Sequence, residues 1–376
     1  MTIDKTRVRH YYARYLEHPS GVTDALDHWA AASTLAGDDV EILAARPRGA
    51  DRNEFAQSDL TKTIRHWGRG RGTWIPIGLA RELRKDDILY LHEGWVFSNV
   101  AAAVIARLKG AKTVVMPHGV YEKQIVQNQR DFLGLRRRLE KYILKHASAV
   151  HVFYAGEQDV VREFEPSVKT FITLPNGAPL VPEKARWTGS GDYFLWIGRF
   201  DVFHKGLDNL VRFWSELPEP KPRLVLAGPN FAGGREVIAD LVDRLGLSDV
   251  VELRGRITGT EKDQLLAEAR AYIHPSRWES CSIMLLEATA AGVPSLISSS
   301  IHAADELEPI GVVHSTSFEI ADSNGTDALS RVDRNRTLGD AALAWARTEG
   351  SWATVSAELE SAQVKIGVRK HGGNSE

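Results

Sequence analysis

The sequence predicts an α/β protein of two doubly wound domains that face each other, and three observations predict it. At 376 residues the chain is too long for one ordinary domain and about right for two. Short β-branched or aromatic runs alternate with longer segments of helical period. The alternation then stops, in a stretch rich in Pro, Gly and charge, and starts again.

In the first half the strand-like runs are "RVRHYYARYL", "VEILAA" from Val40, "DDILYLHE" from Asp86, "KTVVMPHG" from Lys112, "SAVHVFYA" from Ser148 and "TFITLPNG" from Thr170. Segments 23–36, 98–109, 130–147 and 156–164 carry helical spacing between them. Strands that alternate with helices imply parallel βαβ units with both sheet faces covered. The stretch "GAPLVPEKARWTGSGD", 177–192, has no period and is the linker candidate.

The second half repeats the scheme. Its strand-like runs are "YFLWIGRF" (193–200), "PRLVLAGP" (222–229), "VVELRGRI" (250–257), "AYIHPS" (271–276) and "VPSLISS" (293–299). Helical segments are expected at 206–216, 234–245, 261–269 and 283–291. Residues 336–366 predict two helices broken near Gly350.

Composition narrows the function classes. An apolar fraction of 43% supplies a core for each half. A formal net charge of -2 gives no pull toward nucleic acid. Cys281 is the single cysteine, which excludes a disulfide framework and a cysteine-based metal site. No apolar run approaches the roughly 20 residues of a membrane span, and "MTIDKTRVRHYYARYLEH" lacks a signal-peptide core. The expectation is a soluble, cytoplasmic protein. No Gly-x-Gly-x-x-Gly follows the first strand of either half, which argues against a nicotinamide dehydrogenase, and there is no Walker lysine.

In doubly wound domains ligands bind at the C-terminal ends of strands. Gly119, Gly177, Gly198, Gly228 and Gly255 fall there, although turns favour glycine in any such fold. The stretch "RWESCSIMLLEA", 277–288, is more informative. Ser282 is a plausible N-cap for the helix "IMLLEATAA", which Gly292 and Pro294 close. The main-chain N–H groups of residues 281–284 would then face outward at the positive end of the helix dipole, an anion site suited to phosphate. Glu287, one turn inside, could hold paired hydroxyls such as those of a ribose, and Glu279 could reach the opposite side of the anion. The bland alternative is a helix start complemented by acidic charge.

The partner segment is "GRFDVFHKGLDNL", 198–210, with Arg199 and Lys205 as its cations. A nucleoside diphosphate leaving from a sugar gains charge as the glycosidic bond breaks. Arginine as a rigid fork and lysine as a point charge can neutralise it in place of a metal. No Asp-x-Asp pair offers a metal site; the acidic pairs at 38–39 and 86–87 precede strands and look like solvated turns. The alternative for Arg199 and Lys205 is plain surface solvation.

With Glu279 and Glu287, the pattern resembles glycosyltransferase family 4, the retaining GT-B enzymes that use nucleotide sugars. "LYLHEGWVFSNVAAAVIARLKG" and "VVMPHGVY" resemble its first-domain loops, and "LPNGAP" resembles its interdomain entry. "WIGRFDVFHKGLDNLV", "LAGPN", "ELRGRI" and "IHPSRWESCSIMLLEATAAGVPSL" resemble its donor domain, and "EGSWATVSAELE" its last helix. The likeness spans roughly residues 90 to 360.

The resemblance implies a GT-B fold of two Rossmann-like domains across a cleft. The acceptor-side domain would be 1–180, joined by a C-terminal helix 352–376, and the donor domain 181–351. It implies that Arg199 and Lys205 bind the diphosphate, with main-chain donors at Cys281, Ser282 and Ile283. Glu287 would hold the ribose, Glu279 the transferred sugar, and His118 of "PHG" would sit against that sugar near the reacting carbon. Gly21 would let a first-domain loop approach the phosphate. Main chain at Arg256 and Ile257 would lie by the base, with Lys262 in reach. Two departures bear on donor identity. The family's Glu-Gly-Phe-Gly is Glu-Ser-Cys-Ser here, and the first-domain loop has one glycine where two are common.

The implied reaction is metal-independent transfer with retention, the acceptor entering on the face from which the diphosphate leaves. No carboxylate pair stands out as the retaining-hydrolase pair, whose acids lie about 5 Å apart. No cofactor is implied beyond the nucleotide sugar, a UDP-sugar first and a GDP-sugar second, and the acceptor is a glycan, glycolipid or small-molecule hydroxyl. A nucleotide-sugar epimerase, a phosphorylase or a binding protein that kept the donor pocket are the alternatives. His118 has the alternative of a structural histidine. His92, Glu93 and Trp95 either line the acceptor side or pack. Segment 133–147, "LGLRRRLEKYILKHA", is a basic amphipathic helix that either touches anionic lipid peripherally or forms a solvated outer face.

Overall fold

The computed structural model describes residues 5–17, 20–46, 58–68, 74–129, 131–319 and 325–369. The chain divides into two compact units, residues 1–176 with 352–376, and residues 177–351.

The first unit opens with β1 (Arg7–Tyr11), α1 (Gly21–Leu35), β2 (Asp39–Ala45) and β3 (Thr61–Ile64). It continues with α2 (Leu79–Glu82), β4 (Ile88–His92), α3 (Phe97–Lys109), β5 (Lys112–Met116) and α4 (Lys123–Asn128). Then come α5 (Leu135–His146), β6 (Ala149–Val152), α6 (Ala155–Phe164) and β7 (Phe171–Thr173). The strands pair in parallel in the order β3-β2-β1-β4-β5-β6-β7. All five residues of β4 are buried, as a central parallel strand covered on both faces requires.

The second unit carries β8 (Tyr193–Ile197), α7 (Leu207–Glu216), β9 (Arg223–Ala227), α8 (Gly234–Arg244), β10 (Val251–Arg254) and α9 (Gly259–Glu268). It goes on with β11 (Tyr272–His274), α10 (Ile283–Ala291), β12 (Ser295–Ser298), α11 (His302–Leu307), β13 (His314–Thr316), α12 (Gly325–Val332) and α13 (Arg336–Arg347). Its parallel sheet runs β10-β9-β8-β11-β12-β13. Its core gathers large aromatic side chains: Phe194, Trp196, Phe200, Phe213 and Trp214 are buried together with α7 and α8 leucines. The last helix, α14 (Trp352–Lys365), returns to the first unit. Trp352 packs edge-on against Trp29 and stacks on His28 of α1, and Ser356 donates to the Ala32 carbonyl at 3.2 Å. Beyond it, Arg369 grips buried Asp38 through both nitrogens at 2.9 and 2.6 Å.

Several expectations need correction. The predicted helix 130–147 is split, and the basic helix begins at Leu135 rather than 133. Leu133 and Gly134 have φ of 58° and 69°, and Asp131 caps the new start by accepting the N–H groups of Arg136 and Arg137 at 2.8 and 2.9 Å. The stretch 177–192 is packed rather than free. Trp187 donates its ring N–H to the Ala269 carbonyl at 2.6 Å and its main-chain N–H to Ala291 at 2.8 Å. The terminal helix expected over 352–376 stops at Lys365, and residues 370–376 lie outside the described residues. β3, α2, α4, α11, β13 and α12 are additions. Each is eight residues or fewer, too short to display a period.

Candidate functional site

Strand order in the second unit reverses between β8 and β11, so the loops leaving their C-terminal ends, 198–206 and 275–282, meet at a switch point. Two glycines allow close backbone approach here, Gly228 after β9 against the first loop and Gly206 between the two loops. A Cβ on Gly228 would lie 1.7 Å from the Gly198 carbonyl oxygen. One on Gly206, whose φ is 63°, would lie 2.1 Å from that of Pro275. Gly206 is the N-cap of α7 directly after Lys205, and this close approach sets Lys205 against the second loop.

Lys205 donates its ammonium to Glu279 Oε1, across 74 residues of sequence. The same oxygen accepts the Ser276 hydroxyl at 2.9 Å, with His274 Nε2 at 3.7 Å and His204 Nε2 at 3.9 Å. Burial alone would raise the Glu279 carboxyl, but Lys205 and the two histidines outweigh it and hold it at about 2. Burial lowers His274 to about 4, so its imidazole is neutral near pH 7. His204 stacks flat on Trp278, ring centroids 4.6 Å apart, and shares a 3.0 Å hydrogen bond with the Trp278 carbonyl. Arg277 ties the two loops from behind, donating to both Asp208 oxygens at 2.8 Å and to the Phe203 carbonyl at 2.7 Å.

At the start of α10, Ser282 Oγ accepts the Leu285 N–H at 3.3 Å, as an N-cap should, and Gly292 closes the helix with φ of 79°. Cys281, Ser282 and Ile283 are half-buried. Glu287 lies one turn in and accepts Lys262 Nζ through both oxygens at 2.7 Å. Lys262 comes from α9, whose preceding loop carries exposed Arg256 and buried Ile257. So the two acids do not stand alone; each is charge-paired with a lysine. Arg199 is placed differently. Its guanidinium lies 4.4 Å from the Phe231 ring centre and 3.4 Å from Asp201, and it makes no described contact with Glu279. His274, Ser276, His204 and Arg277 escaped the sequence reading. All four flank Glu279 in "IHPSRWES" or Lys205 in "FHKG", which is the signal that could have found them.

In the first unit, the ends of four adjacent strands carry histidines: His10 on β1, His92 on β4, His118 after β5 and His151 on β6. His92 is fully buried, so it packs beneath a surface rather than lining one. His118 is half-buried with φ of 53°. Glu93 lies 3.6 Å from Arg14. Trp95 donates to the Val120 carbonyl at 3.1 Å and packs edge-on against Phe164. Beside it, Arg14, Trp95, Phe97, Leu135, Arg136 and Glu140 line a groove. Burial raises Glu140 to about 7, against the hydrogen bonds it accepts from Trp95 N–H and the Tyr121 hydroxyl. Gly21 is not a loop residue as expected. It is the first residue of α1, because Ser20 and Thr23 form a capping pair, Ser20 N–H donating to Thr23 Oγ1 at 2.7 Å.

Comparison with known proteins adds an independent line. Residues 181–310 match the family described as glycosyl transferases group 1, and residues 20–177 match the glycosyl transferase 4-like domain. This chain is a relative of the glycosyltransferases. It is 23% identical to glycogen synthase of Mycobacterium tuberculosis over 75% of this chain and 74% of that protein. It is 28% identical to the GDP-mannose-dependent alpha-(1-6)-phosphatidylinositol monomannoside mannosyltransferase of that species, over 85% and 87%. Among solved structures, sucrose-phosphate synthase from Thermosynechococcus elongatus superposes with a TM-score of 0.74 at 20% identity, covering 96% of this chain and 99% of that one. Anabaena HepE with UDP gives 0.70 at 16% identity, covering 96% and 100%. These likenesses show that the glycosyltransferase relative has the GT-B fold. Among its described residues, no group of three or more His, Cys, Asp or Glu side chains is arranged to hold a metal ion, and no helix is long and apolar enough to cross a membrane.

Proposed function

We propose that this protein is a retaining, metal-independent glycosyltransferase of the family 4 type. It would move a sugar from a nucleotide sugar to a hydroxyl of a glycan, glycolipid or small molecule. The observation that carries the reading is the switch-point arrangement, where Lys205 is bonded to Glu279 three residues before the Ser282 cap of α10. An ammonium has three donors and Lys205 spends one on Glu279, so the others are available to a diphosphate. Main-chain N–H groups at Cys281, Ser282 and Ile283 add the positive helix end. Arg199 would swing from Phe231 and Asp201 to complete the charge. Glu287 would grip the ribose, with Lys262 and main chain at Arg256 and Ile257 toward the base.

The diphosphate leaves toward these cations, and the acceptor enters on the same face and gives its proton to the departing phosphate. Glu279 is paired and ionised, so it serves as an orienting acceptor for sugar hydroxyls and as the anchor of Lys205, not as an acid. His118 and Gly21 are the sugar and phosphate contacts that the family 4 likeness implies. UDP is preferred over GDP. The HepE structure holds UDP, while the mannosyltransferase relative is named for GDP-mannose.

A thermal-shift panel of nucleotides and nucleotide sugars tests this. A ligand held only by the folded form raises Tm by mass action. A UDP-sugar is expected to give the largest rise and then to turn over with an acceptor in EDTA. Turnover without any acceptor would mean an epimerase, and binding without sugar release a non-catalytic protein. No shift with any member would refute the reading.

We also infer peripheral contact with anionic lipid through α5. Leu133 and Leu135 are 79% and 59% exposed next to exposed Arg136, Arg137 and Arg138. Each cation near such a surface is worth about 1 kcal/mol. Sedimentation with phosphatidylserine vesicles, lost in high salt, is expected; equal binding to neutral vesicles would contradict it.

A further inference from the structure

We propose that His118 carries its ring proton on Nδ1 and meets its ligand only as a hydrogen-bond donor, because His92 and His10 lock that tautomer from beneath. The proposal rests on the reading of His118 as a sugar contact for its use, but not for its chemistry.

Three rings form a chain through the sheet. His10 Nδ1 lies 2.9 Å from His92 Nε2, and His92 Nδ1 lies 3.0 Å from His118 Nε2. The rings are close to parallel, interplanar angles 28° at both contacts. Burial holds His10 and His118 at about 3 and His92 well below its ordinary value, so all three are neutral near pH 7. A neutral imidazole has one N–H and one bare nitrogen, and each contact needs one proton.

Only two arrangements satisfy both contacts. In the first, every ring is protonated on Nδ1: His10 donates to His92, His92 donates to His118, and His118 Nδ1–H is left to face a ligand. In the second, every ring is protonated on Nε2, donation runs inward, and His118 offers a bare Nδ1. The inner end decides between them. His10 Nε2 is buried with no hydrogen-bond partner among the described residues. The first arrangement leaves a bare nitrogen there, and the second seals an N–H without an acceptor, the rarer situation in folded proteins. His151, on the next strand, shows the same solution. Its Nε2 lies 3.0 Å from the Leu174 carbonyl and so must donate, which leaves its buried Nδ1 bare and without a partner.

The consequence for the reaction is specific. His118 Nδ1–H can donate to a sugar hydroxyl or ring oxygen, but it cannot take a proton from the acceptor. His92 and His10 are positioning residues that act through His118. His118 is therefore not the acceptor's base, which agrees with loss of that proton to the departing phosphate as proposed above.

Nitrogen-labelled histidine and multiple-bond nitrogen–proton NMR on the full chain read the tautomer directly, because bare and protonated ring nitrogens resonate far apart. His118 is assigned by loss of its signals in His118→Gln. The expected result is a protonated Nδ1 and a bare Nε2 at His118; the reverse overturns the proposal, and this measurement needs no further variant. In His92→Phe the lock is gone, and both His118 nitrogens are expected to move to averaged positions between the two forms. An unmoved His118 spectrum in that variant would show that His92 does not set it. The readout needs no donor or acceptor, so it stands apart from the sugar-contact reading. That reading fails separately if His118→Ala turns over at the wild-type rate.

Discussion

Lys205→Ala is expected to lower kcat/KM by about 10²–10³-fold, the usual cost of losing one preorganised charge at a developing oxyanion. Turnover alone does not isolate that effect, because Lys205 also holds Glu279, whose side chain is only 12% exposed. Removing one partner of a buried pair strands the other, at about 3–5 kcal/mol. Stability as a function of pH separates the two. In the wild type the Glu279 carboxyl drops from 4.5 to about 2, worth about 3 kcal/mol. A depressed carboxyl gives stability that is present above pH 4.5 and is lost as pH falls toward about 2.

In the variant the ammonium is gone while burial and the two histidines remain, so the carboxyl rises from about 2 toward its ordinary value. The stability that the wild type loses on acidification is then largely absent from the variant at every pH. The gap in urea midpoint between wild type and Lys205→Ala is therefore expected to be widest near neutrality and to narrow below pH 4.5. Lys205→Ala with Glu279→Gln should regain the stability and stay slow. A gap that ignores pH would contradict the buried pair, and a double variant with restored turnover would contradict the phosphate role.

Glu287→Ala is expected to weaken nucleotide binding at least tenfold by calorimetry. On the proposed role of Glu287, two charge-assisted hydrogen bonds to ribose would be lost, each worth about 1.5–3 kcal/mol. The ligand-free state complicates this, because Lys262 already occupies both carboxylate oxygens at 2.7 Å. The nucleotide must displace or share that partner, so the net loss falls below the sum of two bonds. Lys262→Ala is expected to cost less affinity than Glu287→Ala. The reverse order would assign recognition to the lysine, and unchanged affinity in Glu287→Ala would remove that residue from the site.

How much of this was legible follows from range. The helix at 283–291, its Ser282 cap and its glycine stop depend on a dozen consecutive residues, and the sequence reading and the structure agree on them. The alternation of strands and helices was visible for the same reason. The pairing of Lys205 with Glu279 and of Lys262 with Glu287 spans 74 and 25 residues, and it depends on which strands become neighbours. The strand order, not any local pattern, makes those loops meet. The histidine chain is similar: His10 and His92 are 82 residues apart, and each alone reads as one more strand residue. A histidine near the end of four separate apolar runs was the available hint. The start of α1 at Gly21 depended on a Ser-Thr capping pair, which is local but easily mistaken for the loop before it.

The return of α14 to the first unit makes residues 177–351 an insertion within a discontinuous domain. A growing chain therefore has every residue of the second sheet in hand before it has the helix that covers Trp29, or Arg369 to neutralise Asp38. The later half of the molecule can finish folding first, while the earlier half waits on residues 352–369. A premature stop between residues 352 and 369 would damage the half of the protein that was made first.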